Sequence, residues 1–120
     1  MKSETKILIV NDEPDMLDQM KRWLSFKTSS IDCVQTGDEG VQMASKNKYD
    51  YIFLDYHLKK DKEGQKTASA FIPFLRQLYR PESLIVVSAT ARQLSADILG
   101  VKNVLLVDSS FWGRILALIG

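Results

Sequence analysis

The chain lacks features that would assign it to several other classes of protein. Its one cysteine, Cys33, cannot form an internal disulfide, and its place in a short apolar run favours a packed side chain over a reactive thiol. The first residues show no apolar signal-peptide region, and no apolar stretch reaches membrane length. A net charge of +1 provides no field that would hold nucleic acid or an anionic membrane. We therefore expect a cytoplasmic protein that binds neither directly.

The composition bounds the organisation of the chain. Its 120 residues are 45% hydrophobic and 26% charged, which suits one compact domain with an ordinary core. There are no repeats, linkers or low-complexity tracts, so we expect a single domain over residues 1–120.

Short apolar runs alternate with segments of helical spacing, which predicts an α/β fold with a parallel sheet covered on both faces. The four buried runs are Ile7 to Val10, Tyr51 to Leu54, Leu84 to Val87 and Val104 to Val107. The more polar segment Ile31 to Gln35 suits a fifth strand near the sheet edge.

Helical spacing is clearest in two segments. Met16, Leu17, Met20, Trp23 and Leu24 share one face after Pro14, and Ala68, Phe71, Ile72, Leu75, Leu78 and Tyr79 repeat the pattern. Pro73 inside the second segment predicts a kink or a helix that starts late. Shorter stripes occur at Val41 to Ala44, Leu94 to Ile98 and Phe111 to Ile119, and residues 59–66 are predicted to form a long polar loop.

Each buried run ends in polar residues, and these are the chief candidates for function. In open α/β sheets, ligands bind beyond the carboxyl ends of the strands, where one crevice would hold Asn11, Asp12, Glu13, Asp55, Ser88 and Asp108. Clustered carboxylates repel one another unless a cation or a shared proton offsets their charge. Mg²⁺ suits such oxygen ligands, and a carboxylate beside it can attack a phosphoryl donor to form an aspartyl phosphate.

The order and spacing of four motifs resemble a response-regulator receiver domain. They are Ile7-Leu8-Ile9-Val10-Asn11-Asp12-Glu13-Pro14, Val34-Gln35-Thr36-Gly37-Asp38-Glu39-Gly40, Tyr51-Ile52-Phe53-Leu54-Asp55 and Ile85-Val86-Val87-Ser88-Ala89. The resemblance implies a doubly wound, flavodoxin-like sheet of five parallel strands in the order 2-1-3-4-5, with five helices.

The resemblance also implies a role for particular residues. Asp55 would be the phosphoacceptor, and Mg²⁺ would be held by Asp12, Asp55 and the backbone carbonyl of His57. Asn11 and Glu13 are further candidate metal ligands, although the place of Glu13 at a helix start favours a role with the helix dipole. The phosphoryl group would contact Ser88 and Ala89.

Three of the chain's departures from the family pattern concern the acidic pocket and the fifth strand. Asn11 stands where a second acid usually precedes Asp12, which predicts weaker metal binding. The lysine that usually ends the fifth strand is replaced by Val107 or Asp108, depending on a one-residue choice of alignment. The aromatic residue usual on that strand is replaced by Val104 or Leu105.

Two functional hypotheses follow. In the first, the domain accepts a phosphoryl group on Asp55 from a histidine kinase or phosphotransfer protein, slowly hydrolyses it, and signals through an effector. In the second, it is a pseudo-receiver that binds its partners without phosphorylation. Neither makes it an enzyme beyond self-phosphorylation and slow autodephosphorylation. A flavin or nucleotide binder is disfavoured because no glycine-rich turn follows the first strand.

Overall fold

The sheet has five parallel strands in the order β2-β1-β3-β4-β5. The computed structural model describes residues 4–65, 67–88, 101 and 103–119. The strands are β1 (Ile7–Val10), β2 (Ile31–Val34), β3 (Tyr51–Asp55), β4 (Leu84–Ser88) and β5 (Asn103–Leu106). The predicted fold class and strand order are therefore confirmed, and the half-buried β2 lies at an edge as its polar sequence indicated.

Four α-helices lie in the described residues, against the five expected. They are α1 (Pro14–Leu24), α2 (Gly37–Lys46), α3 (Ile72–Arg76) and α4 (Phe111–Ile119), and two short 3₁₀ turns cover Ala68–Ala70 and Pro81–Ser83. The stripe Leu94 to Ile98, predicted to form the remaining helix, lies outside the described residues. Helix α3 begins only at Ile72, beside Pro73, so the late start is the correct alternative.

Alternate residues of each central strand enter different cores, which is why the strand sequences are apolar throughout. On one face, Ile7 and Ile9 pack in a cluster with buried residues of α1 and α4. On the other, Leu8 and Val10 pack in a cluster with residues of α2 and α3. The first turns of α1 and α2 are thereby placed near the carboxyl ends of β1 and β2.

No helix in the described ranges is both long and apolar enough to cross a membrane.

Two side-chain contacts hold helices together outside the sheet. The Tyr79 hydroxyl lies 2.9 Å from the carbonyl oxygen of Ala44 and 2.8 Å from that of Asn47, and it accepts a bond from the Tyr49 N–H. It therefore joins the end of α2 to the segment before β3. On the opposite face, the rings of Trp23 in α1 and Trp112 in α4 stack with centroids 5.0 Å apart.

Candidate functional site

Asp55 ends β3, as predicted, and its half-buried carboxyl lies close enough to that of Asp12 for the two to interact. Burial raises the pKa of Asp55 to about 7, and the negative charges of Asp12 and Glu13 add to the rise. Asp12 is itself only 7% exposed. The topology thus brings together the two carboxylates that the sequence singled out, because β1 and β3 are neighbouring parallel strands.

The two residues beside Asp12 form a turn that leads into α1. The Asn11 side chain is buried, and its Oδ1 accepts a bond of 3.0 Å from the Glu13 N–H. Glu13 occupies the N-cap position with its side chain exposed and makes no side-chain cap bond. Its carboxylate nevertheless acts on the site, since its charge helps to raise the pKa of Asp55.

The backbone after Asp55 is fixed on both sides. The Tyr56 N–H donates to the Val87 carbonyl over 2.8 Å, and the Tyr56 carbonyl accepts from the Ala68 N–H over 2.7 Å. His57 pairs with Thr67 in an isolated bridge, and its exposed ring meets the Tyr56 ring edge-on at 5.0 Å.

The other predicted site residues follow β4 and β5 or end them. Ser88 ends β4 and is 2% exposed, and its carbonyl accepts a bond of 2.8 Å from the Val107 N–H just beyond β5. Ala89 lies outside the described residues. Asp108 is exposed, and its Oδ1 accepts bonds from the N–H and hydroxyl of Ser110 at the start of α4. These bonds hold the pKa of Asp108 below its usual value.

The sequence model of the response regulator receiver domain matches residues 7–103, most of the chain. The chain belongs to this family. No curated protein matches it.

Solved receiver structures share the fold of this receiver domain. A CheY-like response regulator receiver domain from Methylobacillus flagellatus is 23% identical, with 98% of this chain and 100% of that chain covered and a TM-score of 0.77. A CheY-like receiver domain protein from Methanospirillum hungatei JF-1 is 21% identical, with 98% of this chain and 91% of that chain covered and a TM-score of 0.80. A response regulator from Burkholderia pseudomallei, described with a phosphorylated aspartic acid and a calcium ion, is 21% identical. The match covers 98% of this chain and 67% of that chain, with a TM-score of 0.80.

The donor set of this receiver domain fits a hard cation through two carboxylates. Within residues 4–65, 67–88, 101 and 103–119, no group of three or more His, Cys, Asp or Glu side chains is arranged to hold a metal. Mg²⁺ does not require three, since it keeps several waters and binds through one or two carboxylates together with phosphate oxygens. The repulsion that raises the pKa of Asp55 is the kind that a cation relieves.

Sequence reasoning missed two groups that contact the site or lie beside it. The backbone N–H of Lys59 donates to Asp12 Oδ2 over 3.1 Å. Asp61 lies in the predicted polar loop, but it is only 8% exposed and binds the start of α2. The available signal was an acid with a lysine on each side, Lys60-Asp61-Lys62, shortly before Gly64.

Proposed function

We propose that residues 1–120 form a single cytoplasmic receiver domain that accepts a phosphoryl group on Asp55. The donor is a histidine kinase or a phosphotransfer protein, and the signal passes to a downstream effector protein or domain. The observation that carries this proposal is the pair formed by Asp55 and Asp12 at the carboxyl end of the central strand. The phosphorylated aspartic acid described for the Burkholderia pseudomallei protein supports it.

The chemistry divides into attack on the phosphoryl donor and binding of the metal. An ionised Asp55 oxygen attacks the phosphorus of the donor, the bond from phosphorus to the donor's leaving group breaks, and an acyl phosphate remains. Asp12, Asp55 and the His57 carbonyl hold Mg²⁺, with Asn11 and Glu13 as neighbouring oxygen groups. When bound, Mg²⁺ offsets the charge of the carboxylates and of the phosphoryl oxygens.

Two further residues are proposed to bind the phosphoryl group rather than the metal. The Ser88 hydroxyl, at the end of the strand next to β3, donates a hydrogen bond to a phosphoryl oxygen. Ala89 supplies a contact from the following backbone.

The test is labelling with a small acyl phosphate in the presence of Mg²⁺, followed by intact-mass measurement. The natural protein should gain one phosphoryl group that hydroxylamine removes, and Asp55→Asn should gain none. Asp18→Asn is the matched control because it removes an exposed carboxylate of α1 that is paired with Arg22. Labelling that persists in Asp55→Asn, or that maps to another aspartate, would contradict the assignment.

A specific observation favours the second candidate function, a pseudo-receiver that binds partners without phosphorylation. Burial raises the pKa of Asp55 most, and the charged side chains among the described residues that raise it further, Asp12 and Glu13, are both negative. At neutral pH this leaves a large fraction of Asp55 protonated in the metal-free protein and therefore not nucleophilic. Asn11 adds no charge to attract a cation, and neither Val107 nor Asp108 supplies the positive charge of the family's lysine.

A pair of substitutions distinguishes the two candidates. If the vacant lysine position limits phosphorylation, then Val107→Lys or Asp108→Lys should accelerate labelling by the small phosphodonor. The Val107 N–H already bonds to the Ser88 carbonyl, so a lysine there would start beside the proposed phosphoryl site. In the pseudo-receiver, binding of the natural partner changes little on phosphorylation. Fast labelling of the unmodified protein with a large change in partner affinity identifies an ordinary phosphorylation switch.

A further inference from the structure

Three consecutive residues of the loop after β3 contact three other segments of the chain. The Lys59 N–H donates to Asp12 Oδ2 over 3.1 Å, and the Lys60 ammonium donates to Gln35 Oε1 over 2.5 Å. The Asp61 carboxylate then binds the first turn of α2. This stretch, residues 59–61, therefore connects the acidic pocket to the β2–α2 loop and to α2 itself.

The same stretch is anchored from within. Leu58, directly before it, is fully buried in the core on the α2 side of the sheet. The Asp61 N–H donates to the Leu58 carbonyl over 3.1 Å, which closes a tight turn over residues 58–61. Because only one residue separates Lys59 from Asp61, a displacement at one end of this turn is passed to the other.

Asp61 binds α2 through both of its carboxylate oxygens. Oδ2 accepts the Gly37 N–H over 2.8 Å, and Oδ1 accepts the Asp38 N–H over 3.2 Å. These N–H groups belong to the first turn, where a helix has no internal acceptors for them and where its dipole favours negative charge. The Thr36 hydroxyl separately accepts the Glu39 N–H, so α2 keeps its own cap if Asp61 is removed.

The start of α2 is also confined by an aromatic ring. A Cβ atom placed on Gly37 would lie 2.2 Å from Cε2 of the Phe71 ring, so the helix start is packed directly against that ring. It is therefore held by both Phe71 and the carboxylate of Asp61, with little space to move independently of the loop.

We propose that Asp61 is a positioning residue that couples the acidic pocket at Asp12 to the first turn of α2. A change in what Asp12 Oδ2 binds alters the Lys59 contact, moves the turn 58–61, and changes the protection of the Gly37 and Asp38 amides. Loss of the Asp12 carboxylate is one such change, and a bound divalent cation is another. Only the cation case rests on the proposed phosphoacceptor function.

The test is amide hydrogen exchange at Gly37 and Asp38, measured by NMR in the natural background and in Asp61→Ala. In the natural background, Asp12→Ala should accelerate exchange at both amides by about threefold to tenfold, as expected for the loss of one buried hydrogen bond. In Asp61→Ala, exchange is faster from the start, and adding Asp12→Ala should change it no further. An equal effect of Asp12→Ala with and without Asp61, or no effect in either, overturns the proposal.

Two companion variants keep the result interpretable. Asp61→Asn retains one acceptor oxygen and should give an intermediate response, which decides the question if Asp61→Ala does not fold. Asp38→Asn is the matched control, because it removes from the same turn a carboxylate whose partner is Gln42 Nε2, at 3.4 Å, and not the loop. The response to Asp12→Ala should persist in Asp38→Asn, and its disappearance there would attribute the coupling to charge rather than to the Asp61 contact.

A Mg²⁺ titration separates this proposal from the proposed function. If Mg²⁺ shifts the Lys59 amide resonance and accelerates exchange at Gly37 in the natural protein but not in Asp61→Ala, the coupling is supported. A shift at Lys59 with unchanged exchange at Gly37 overturns the coupling and leaves the metal site intact. If Mg²⁺ changes neither the Lys59 resonance nor the exchange rate at Gly37, the metal site is refuted. The Asp12→Ala comparison still decides the coupling.

Discussion

Replacing Asp55 with asparagine is expected to stabilise the metal-free protein at neutral pH and to change it little in acid. The pKa of Asp55 is raised from 3.8 to about 7, first by burial and then by the charge of Asp12. Between these two pH values the folded protein holds a proton that the unfolded chain has released. Stability must therefore fall as pH rises through this window, and the loss is complete above about pH 7.

The size of this effect follows from the two pKa values. A difference of about three pKa units corresponds to roughly 4 kcal/mol of unfolding free energy. The carboxyl is partly exposed, so solvent screening lowers the expected gain of Asp55→Asn to about 2 kcal/mol at neutral pH. Asparagine carries no charge at any pH and resembles the protonated acid in shape, which removes the penalty without creating a cavity.

The assay is urea unfolding of both proteins in a chelator-containing buffer, from about pH 3 to about pH 8, which brackets the two pKa values. In the difference between the two unfolding free energies, the contributions of all groups that titrate alike in both proteins cancel. It should be near zero at the acid end and reach its full value above neutrality. Added Mg²⁺ should then stabilise the natural protein more than the variant.

Asp108→Asn is the control for this experiment, because the contribution of Asp108 to stability depends on pH in the opposite direction. Hydrogen bonds from Ser110 lower the pKa of Asp108, so its contribution is present above the unfolded pKa and is lost as pH falls. This variant should gain no stability at neutral pH. A constant difference between Asp55→Asn and the natural protein across the pH range, or a destabilised variant at neutral pH, would refute the reasoning.

Three further outcomes are expected. Gly37→Ala should cost about 1–3 kcal/mol in denaturant unfolding because its new methyl group meets the Phe71 ring, whereas Gly113→Ala, with open space around its Cβ position, should be neutral or stabilising. Asn11→Asp should tighten Mg²⁺ binding by about tenfold in calorimetry, since it adds a charge to the pocket while keeping the acceptor oxygen of the turn. Tyr79→Phe should lower the free energy of unfolding by about 2 kcal/mol, because buried polar groups lose their partner.

The paired carboxylates could be predicted because they depend on two simple rules. Apolar runs with helical spacing between them form a parallel sheet, and residues that follow neighbouring strands meet at one edge. Asp12 follows β1 and Asp55 ends β3, and these two strands pair directly. Edge strand β2 and the late start of α3 were predictable for similar reasons, since a polar strand avoids the centre of a sheet and Pro73 suits a first helical turn.

The contacts that were missed depend on how a loop crosses over other segments. Asp61 lies in a run of charged residues, a pattern typical of exposed loops, and its partner Gly37 lies 24 residues away. No periodicity connects two such positions. Trp23 was similarly assigned to the apolar stripe of α1, yet it is 42% exposed and packs on Trp112 instead. Helical spacing gives the direction of a side chain, but it does not give the element that covers it.

The stacked tryptophans provide this domain with an internal optical reporter. Two indole rings only 9° from parallel, with centroids 5.0 Å apart, are close enough for their electronic transitions to couple and to give a paired circular dichroism signal. One ring belongs to α1 and the other to α4, so the signal depends on the docking of α4 against the sheet. Separation of α4 would abolish it without unfolding β1 to β5. Circular dichroism of the unlabelled protein can therefore show whether α4 stays docked when Asp55 is modified.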